Sequence, residues 1–159
     1  MRDESTKRAA QEFLAAKLAE EGQSQEAKLN YETAMALGPV VWKRVADSVT
    51  TKCREWNAIT QEQTLTCKET LLGDLRILCV GRSQQMTVHF DSRKLLLTIK
   101  NEGRLEHETD VILRVEGYRT ATGRDAHLVR NEQPVNIDLL VTGELRVLAG
   151  MSRQANAQG

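Results

Sequence analysis

The chain has 159 residues, of which 40% are hydrophobic and 28% are charged; this is typical of one folded globular domain and excludes a disordered chain. Lysine plus arginine and aspartate plus glutamate each number 22, so the formal net charge is zero and no overall field attracts nucleic acid or anionic lipid. The charged opening residues 1–5 do not resemble a signal peptide, and no apolar run approaches the roughly 18 residues of a membrane helix. We therefore expect a soluble, cytoplasmic protein without a membrane partner.

The first forty residues are predicted to form a helical hairpin. Apolar residues recur at helical spacing over residues 6–21, Gly22 is expected to end this helix, and Ser24 is a suitable cap for a second helix. Gly38 and Pro39 are expected to stop the second helix.

Residues 8–39 resemble a single tetratricopeptide repeat. The matching residues, in order and spacing, are Leu14 in the first half and Gly22, Ala27, Tyr31, Ala34 and Pro39 in the second. Three positions depart from the repeat pattern: Gln11 replaces an aromatic residue, Ala15 a glycine, and Leu18 a tyrosine. The resemblance implies two closely packed helices that must be covered by something else, because a single repeat cannot bury its own apolar face.

A third helix is predicted over residues 40–56. Its apolar residues lie on one side and include both tryptophans of the chain, Trp42 and Trp56, together with Cys53. A long, bulky stripe of this kind is typical of a core face, so this helix is expected to cover a sheet. Cys53 is then a core residue, and the wide spacing of Cys53, Cys67 and Cys79 indicates reduced thiols.

After residue 57 the hydrophobic period changes from 3.6 to 2, which indicates strands. Five strands are predicted at residues 64–68, 74–80, 84–90, 94–100 and 109–116, and the short connections between them favour an antiparallel meander. The last part of the chain is expected to hold a polar loop, an edge strand near residues 126–129, and a helix that begins near Asn136 or Asp138.

Alternate residues of the predicted strands form two different faces. One face is apolar and is expected to meet the tryptophan-bearing helix. The other face mixes polar residues with aliphatic ones, Leu78, Leu96 and Ile112, and is expected to be open.

Motifs for chemistry are scarce, and no catalytic residue, metal ligand or cofactor site is assigned. The histidines His89, His107 and His127 lack the spacing of a metal site. The pair His89 and Asp91, on the same side of a strand end, leaves open an enzyme without a recognisable motif. His107 with Asp110 is a looser version of such a pair.

A second alternative is nucleic-acid binding through residues 41–100, where basic residues outnumber acidic ones. The chain is only 4% aromatic, however, and the open face carries none of the stacking side chains that sheets use to bind single strands.

The sequence as a whole predicts an α+β fold in three parts: a helical hairpin (1–39), an α+β domain (40–150) and a disordered tail (151–159). In the α+β domain, a third helix and a C-terminal helix are expected to accompany a five-stranded antiparallel meander. The preferred function is a non-enzymatic module for protein interaction or self-association. Its expected contact residues lie on the hairpin and on the open sheet face: Phe13, Leu14, Leu18, Tyr31, Met35, Leu78, Leu96 and Ile112.

Overall fold

A single long helix, α1, occupies the first third of the chain. In a computed structural model, which describes residues 2–103 and 110–153, α1 runs from Arg2 to Thr60 without interruption. At 1.5 Å per residue, its 59 residues span about 90 Å. The predicted hairpin and separate third helix are therefore wrong, because all three predicted helices are parts of α1.

Two local breakers misled the prediction. Gly22 costs about 1 kcal/mol relative to alanine inside a helix, but good helix formers surround it, and the candidate cap Ser24 lies inside α1. Pro39 lies inside α1, where Gly38, which has no side chain, precedes it. A Cβ at Gly38 would lie 3.2 Å from the ring of Phe90 and 3.3 Å from Leu95, so this glycine allows the helix to approach the sheet rather than to end.

Seven antiparallel strands follow α1 and pair in sequence order. The meander is thus as expected, but the predicted number of five strands is wrong. The strands are β1 (Leu65–Glu69), β2 (Leu75–Cys79), β3 (Gln85–Asp91), β4 (Leu96–Glu102), β5 (Val111–Arg119), β6 (Arg124–Arg130) and β7 (Gln133–Pro134). A second helix, α2 (Ile137–Leu148), completes the described fold and begins after the N-cap Asn136, as predicted.

The core lies between one face of the sheet and the two helices. Along β2 and β5, buried and exposed residues alternate strictly over most of the strand, as expected when only one face is covered. The helix side of the core is formed by the second half of α1, where Val41, Val45, Val49 and Cys53 are buried. The predicted apolar face and its packing against the tryptophan-bearing segment are as expected; Trp42, for example, stacks on Phe90 at 6.1 Å between ring centroids.

Three contacts hold the middle of α1 on the sheet. Gly117 of β5 lies so close to α1 that a Cβ there would overlap the backbone carbonyl oxygen of Asn30. Arg124 of β6 donates hydrogen bonds to Oδ1 of Asn30 at 2.6 Å and to Oε2 of Glu26 at 2.8 Å. Contact with the sheet therefore starts near Glu26, the first half-buried residue of α1 after an exposed stretch.

The outer edge of β1 is covered by one side chain of α1. Asn57 accepts a hydrogen bond from the backbone N–H of Leu65 at 2.9 Å and donates one to its C=O at 2.8 Å. The amide thereby takes the place of a neighbouring strand at this residue, which satisfies edge groups that could otherwise pair with another chain.

A buried carboxylate ties α2 to the sheet and to the residues that follow it. Glu144 is almost fully buried; it accepts a hydrogen bond from Asn101 of β4 at 3.1 Å and forms an ion pair with Arg153 at 2.8 Å. Residues 151–153 of the predicted tail thus contact α2, and Met151 also donates its N–H to the carbonyl of Arg146. The rest of that tail lies outside the described residues.

The predicted division of the chain at residues 39 and 40 falls inside α1. Among the described residues, neither helix has a stretch that is both long and apolar enough to cross a membrane.

Candidate interaction surfaces

The most distinctive surface is the first part of α1, which extends beyond the sheet. We call residues 2–25 the arm. Every residue from 4 to 25 is exposed, and the arm would be about 36 Å long at the rise of an α-helix. Three large apolar side chains lie on it in solvent: Phe13, Leu14 and Leu18, with 68%, 56% and 66% of their surfaces exposed.

The composition of the arm explains why it is helical although no described part of the fold covers it. It is rich in alanine, glutamate, lysine, glutamine and leucine, the residues with the most favourable helix propensities. An ion pair one turn apart, Arg8 with Glu12 at 3.7 Å, adds a small stabilisation. Helicity therefore does not require Phe13, Leu14 or Leu18 to be buried, and these residues remain available for contact.

A groove lies where α1 reaches the sheet. It has a volume of about 760 Å³ and runs between α1 and the strands β4 and β5. Tyr31 and Ala34 line its helix side, whereas Leu96, Arg114 and Glu116 line its sheet side. The structure thus brings together two of the predicted contact residues, Tyr31 and Leu96, from segments far apart in sequence.

The other predicted contact residues do not form one continuous surface with the arm. Met35 is exposed on α1. Ile112 pairs with Thr98 across β5 and β4, whereas Leu78 pairs with Gln85 across β2 and β3. Ile112 and Leu78 are both exposed, as predicted for the open face, but they lie three strands apart.

One exposed apolar feature was missed at the sequence level. Leu71 and Leu72 form the tip of the β1–β2 hairpin and are almost completely exposed, at 106% and 89%. Two adjacent leucines in a turn follow neither the helical nor the strand period, so pattern analysis gave them no role. The nearby Gly73 has a φ of 85°, a left-handed conformation that glycine adopts readily.

His89 and Asp91, which were considered as a pair from the sequence, form hydrogen bonds with different groups of the chain. Nδ1 of His89 lies 2.6 Å from Oδ1 of Asp74. Asp91 instead accepts hydrogen bonds from the backbone N–H groups of Arg93 and Lys94 at 3.0 and 3.1 Å, and the bond from Lys94 contributes most to lowering the pKa of Asp91. Asp91 therefore shapes the β3–β4 turn.

The histidines do not come together in the described structure. His89 lies on β3, and His127 lies on β6, where it stacks on Tyr118 at 4.2 Å between ring centroids. His107 lies outside the described residues. Within residues 2–103 and 110–153, no group of three or more His, Cys, Asp or Glu side chains could hold a metal ion.

Basic residues of the segment 41–100 lie on two sides of the molecule. Lys43, Arg44 and Arg54 are exposed on α1, on the covered side of the sheet. On the open side, Lys68 pairs with Arg76, and the row continues through Thr87 to Lys100. These three cations are exposed, and the structure shows no ion pair for them within its described part.

Two of the three thiols, Cys53 of α1 and Cys67 of β1, interact with each other. A hydrogen bond from the Cys53 thiol is the main cause that lowers the pKa of Cys67 to about 7, and a bond from Thr50 acts in the same direction. The same interaction with Cys67, together with burial, raises the pKa of Cys53. Cys53 is buried and Cys67 is partly exposed, so Cys67 is the thiol that solvent reagents can reach.

Comparison of the chain with protein-family models, with curated proteins and with solved structures gave no match in any of the three searches.

Proposed function

We propose that this protein is a non-enzymatic interaction module in which the sheet anchors α1 and the arm docks on another protein chain. The observation that supports the proposal is the exposure of Phe13, Leu14 and Leu18 on a helix whose residues 4–25 are not covered by any described part of the chain. Full burial of one leucine or phenylalanine side chain contributes about 1.5 to 3 kcal/mol, so a partner that covered all three would gain several kcal/mol.

The anchoring of α1 supports the same function. A docking helix cannot hold its own domain to a partner protein if it detaches from that domain. Here Arg124 binds Glu26 and Asn30 just beyond the arm, and Ala34 is buried against the sheet soon after. The arm is therefore held by its base while its apolar residues remain accessible.

The test places a photo-crosslinking amino acid at position 18 or, in a matched variant, at position 12, in the full chain inside its producing cells. Leu18 belongs to the apolar part of the arm, and Glu12 lies on the opposite side of the helix from Leu14. We expect a discrete protein adduct at position 18 that is lost when Leu14 is also changed to Glu. Equal adducts at both positions, or none at position 18, would contradict a defined docking face.

A second candidate function rests on the open sheet face. Like charges directly opposite one another destabilise a sheet, yet Lys68 pairs with Arg76 and Lys100 lies in the same row. A nucleic-acid backbone would neutralise this row. The test is fluorescence anisotropy of a labelled single-stranded oligonucleotide. The double variant Lys68→Ala/Lys100→Ala should weaken binding and its salt dependence, whereas Lys43→Ala, on the other side of the sheet, should change neither.

A further inference from the structure

We infer that the partner of the arm is a second copy of this chain, bound antiparallel and centred on Leu14. This inference rests on the proposed function and names the partner of the same surface. It starts from the spacing of the arm residues. Lys7, Ala10, Leu14, Leu18 and Glu21 are separated by three or four residues, so they line one side of the helix, as the contact positions of a helix pair do.

The order of charges on this side determines the orientation. A cation, Lys7, lies at one end, the apolar residues lie in the middle, and an anion, Glu21, lies at the other end. Lys17, three residues after Leu14, lies at the border of this side and faces the neutral Gln11 when the pair is antiparallel. Lys7 and Glu21 have no ion-pair partner within the described part of the chain. In a parallel pair, each charge would face the same charge of the second copy, which is unfavourable.

An antiparallel pair centred on Leu14 gives each of these five residues a suitable partner. Leu14 then meets Leu14 of the other copy, Ala10 meets Leu18, and Lys7 meets Glu21, because the residue numbers of each facing pair add up to the same sum. The large Leu18 side chain faces the small Ala10, so the distance between the two helix axes stays similar along the pair. Each such dimer contains two Lys7–Glu21 ion pairs related by a two-fold axis, as expected for an isologous interface.

The remainder of the fold leaves room for this pairing. The facing segment ends at Glu21, before Glu26, where contact between α1 and the sheet starts. In an antiparallel pair the two sheets lie at opposite ends of the paired arms. They therefore do not compete for the same space.

Charge exchange tests the orientation. Lys7→Glu and Glu21→Lys each turn both ion pairs of the dimer into like-charge pairs, and we expect each to raise the dissociation constant of the full chain about 10-fold. The double variant Lys7→Glu/Glu21→Lys restores both pairs and should return the constant to near the unmodified value. Glu12→Lys, a charge change on the opposite side of the helix from Leu14, is the matched control. The measurement is sedimentation equilibrium or light scattering over a concentration series.

Cysteine substitutions at chosen positions of the arm test the register of the inferred helix pair. In the inferred pair, Leu14→Cys places two thiols opposite each other, whereas Leu18→Cys places its thiol opposite Ala10. With oxidised glutathione as oxidant, Leu14→Cys should form a covalent dimer, each new S–S bond releasing two molecules of glutathione, and Leu18→Cys should not. The combination Ala10→Cys/Leu18→Cys should crosslink again. The unmodified chain, which retains Cys53, Cys67 and Cys79, is the control.

The outcomes separate this inference from the proposed function. A monomer at all concentrations, together with a position-18 adduct to a different protein, would overturn self-pairing and leave the docking function intact. A dimer that is unaffected by either charge change, or one in which Leu14→Cys and Leu18→Cys crosslink equally, would overturn the antiparallel register. A monomer without any adduct would overturn both.

Discussion

Gly117 of β5 lies directly beneath the backbone carbonyl of Asn30 in α1, at the point where the helix first rests on the sheet. A methyl group at position 117 would overlap that carbonyl and would also lie 2.8 Å from Cβ of Thr33. Neither backbone can move away locally, because Gly117 is paired with Ala126 in the sheet. The close approach of α1 thus depends on the absence of a side chain.

Gly117→Ala should therefore lower the free energy of unfolding by about 2 kcal/mol, the usual cost of overpacking a core contact. Urea denaturation followed by circular dichroism measures this change. Gly123→Ala is the matched control, since nothing lies within 4 Å of a Cβ there. Equal effects of the two substitutions would mean that α1 does not rest on β5 at this point.

Arg124 provides the polar part of the same anchor. Its side chain is mostly buried and binds both Glu26 and Asn30. Because charge-assisted hydrogen bonds contribute more than neutral ones, we expect Arg124→Ala to lower the free energy of unfolding by about 1 to 2 kcal/mol.

The local consequence of Arg124→Ala is more specific than the overall loss. Amide hydrogen exchange should accelerate in residues 26–34 of α1 but not in residues 45–53, which pack on the core independently of Arg124. Arg130→Ala, at an exposed position at the far end of β6, serves as the control and should alter neither segment. Uniform acceleration along α1 would contradict a local anchoring role.

The sequence predicted the two faces of the sheet better than the course of the helix. Strand alternation depends on which side chains are buried, and the apolar side of β2 to β5 was correctly identified because one face is covered throughout. Gly38 and Pro39, in contrast, are local signals with two meanings. They can end a helix, or, as here, permit a helix to approach the sheet closely at Phe90 and Leu95.

The strand that was missed, β7, has a similar explanation. β6 contains the edge strand predicted near residues 126–129, but it is not at the edge because β7 pairs with it. β7 has two residues, too few for a period to be visible. The apolar residues of the arm were found from their helical spacing, but the sequence could not show that they lie beyond the edge of the sheet. That fact depends on where Glu26 and Asn30 meet Arg124 across nearly 100 residues.

The hydrogen bonds of Asn57 lead to a separate prediction about the edge of β1. Its side chain bonds both backbone groups of Leu65, a residue that is almost fully buried. Asn57→Ala would leave an N–H and a C=O without partners, which costs about 1 to 3 kcal/mol in total free energy of unfolding. Asn57→Asp should also destabilise, because a carboxylate oxygen would face the carbonyl of Leu65. Thermal and urea unfolding check both changes, with the exposed Gln63→Ala as control; a loss no larger than that of the control would contradict the edge-covering role.

The contact between Cys53 and Cys67 predicts how the thiols react as pH changes. Thiolates, not thiols, react with iodoacetamide. Since the hydrogen bond from Cys53 lowers the pKa of Cys67 to about 7, the alkylation rate of Cys67 should rise between about pH 6 and 8 and then level off. An unperturbed cysteine would reach half its maximal rate near pH 8.5.

The direction of the pKa change of Cys67 follows from the protonation state that the hydrogen bond stabilises. Cys53 donates to the Cys67 thiolate, so removal of the donor in Cys53→Ala should move the midpoint of the Cys67 profile to higher pH, even though Cys67 stays in place on β1. Cys53 itself should remain unmodified throughout this range, because its pKa is raised and its side chain is buried. Short iodoacetamide pulses followed by peptide mass mapping measure each thiol separately. A Cys67 midpoint near pH 8.5 in the unmodified chain, or one that does not move in Cys53→Ala, would show that the two thiols are not hydrogen-bonded in solution.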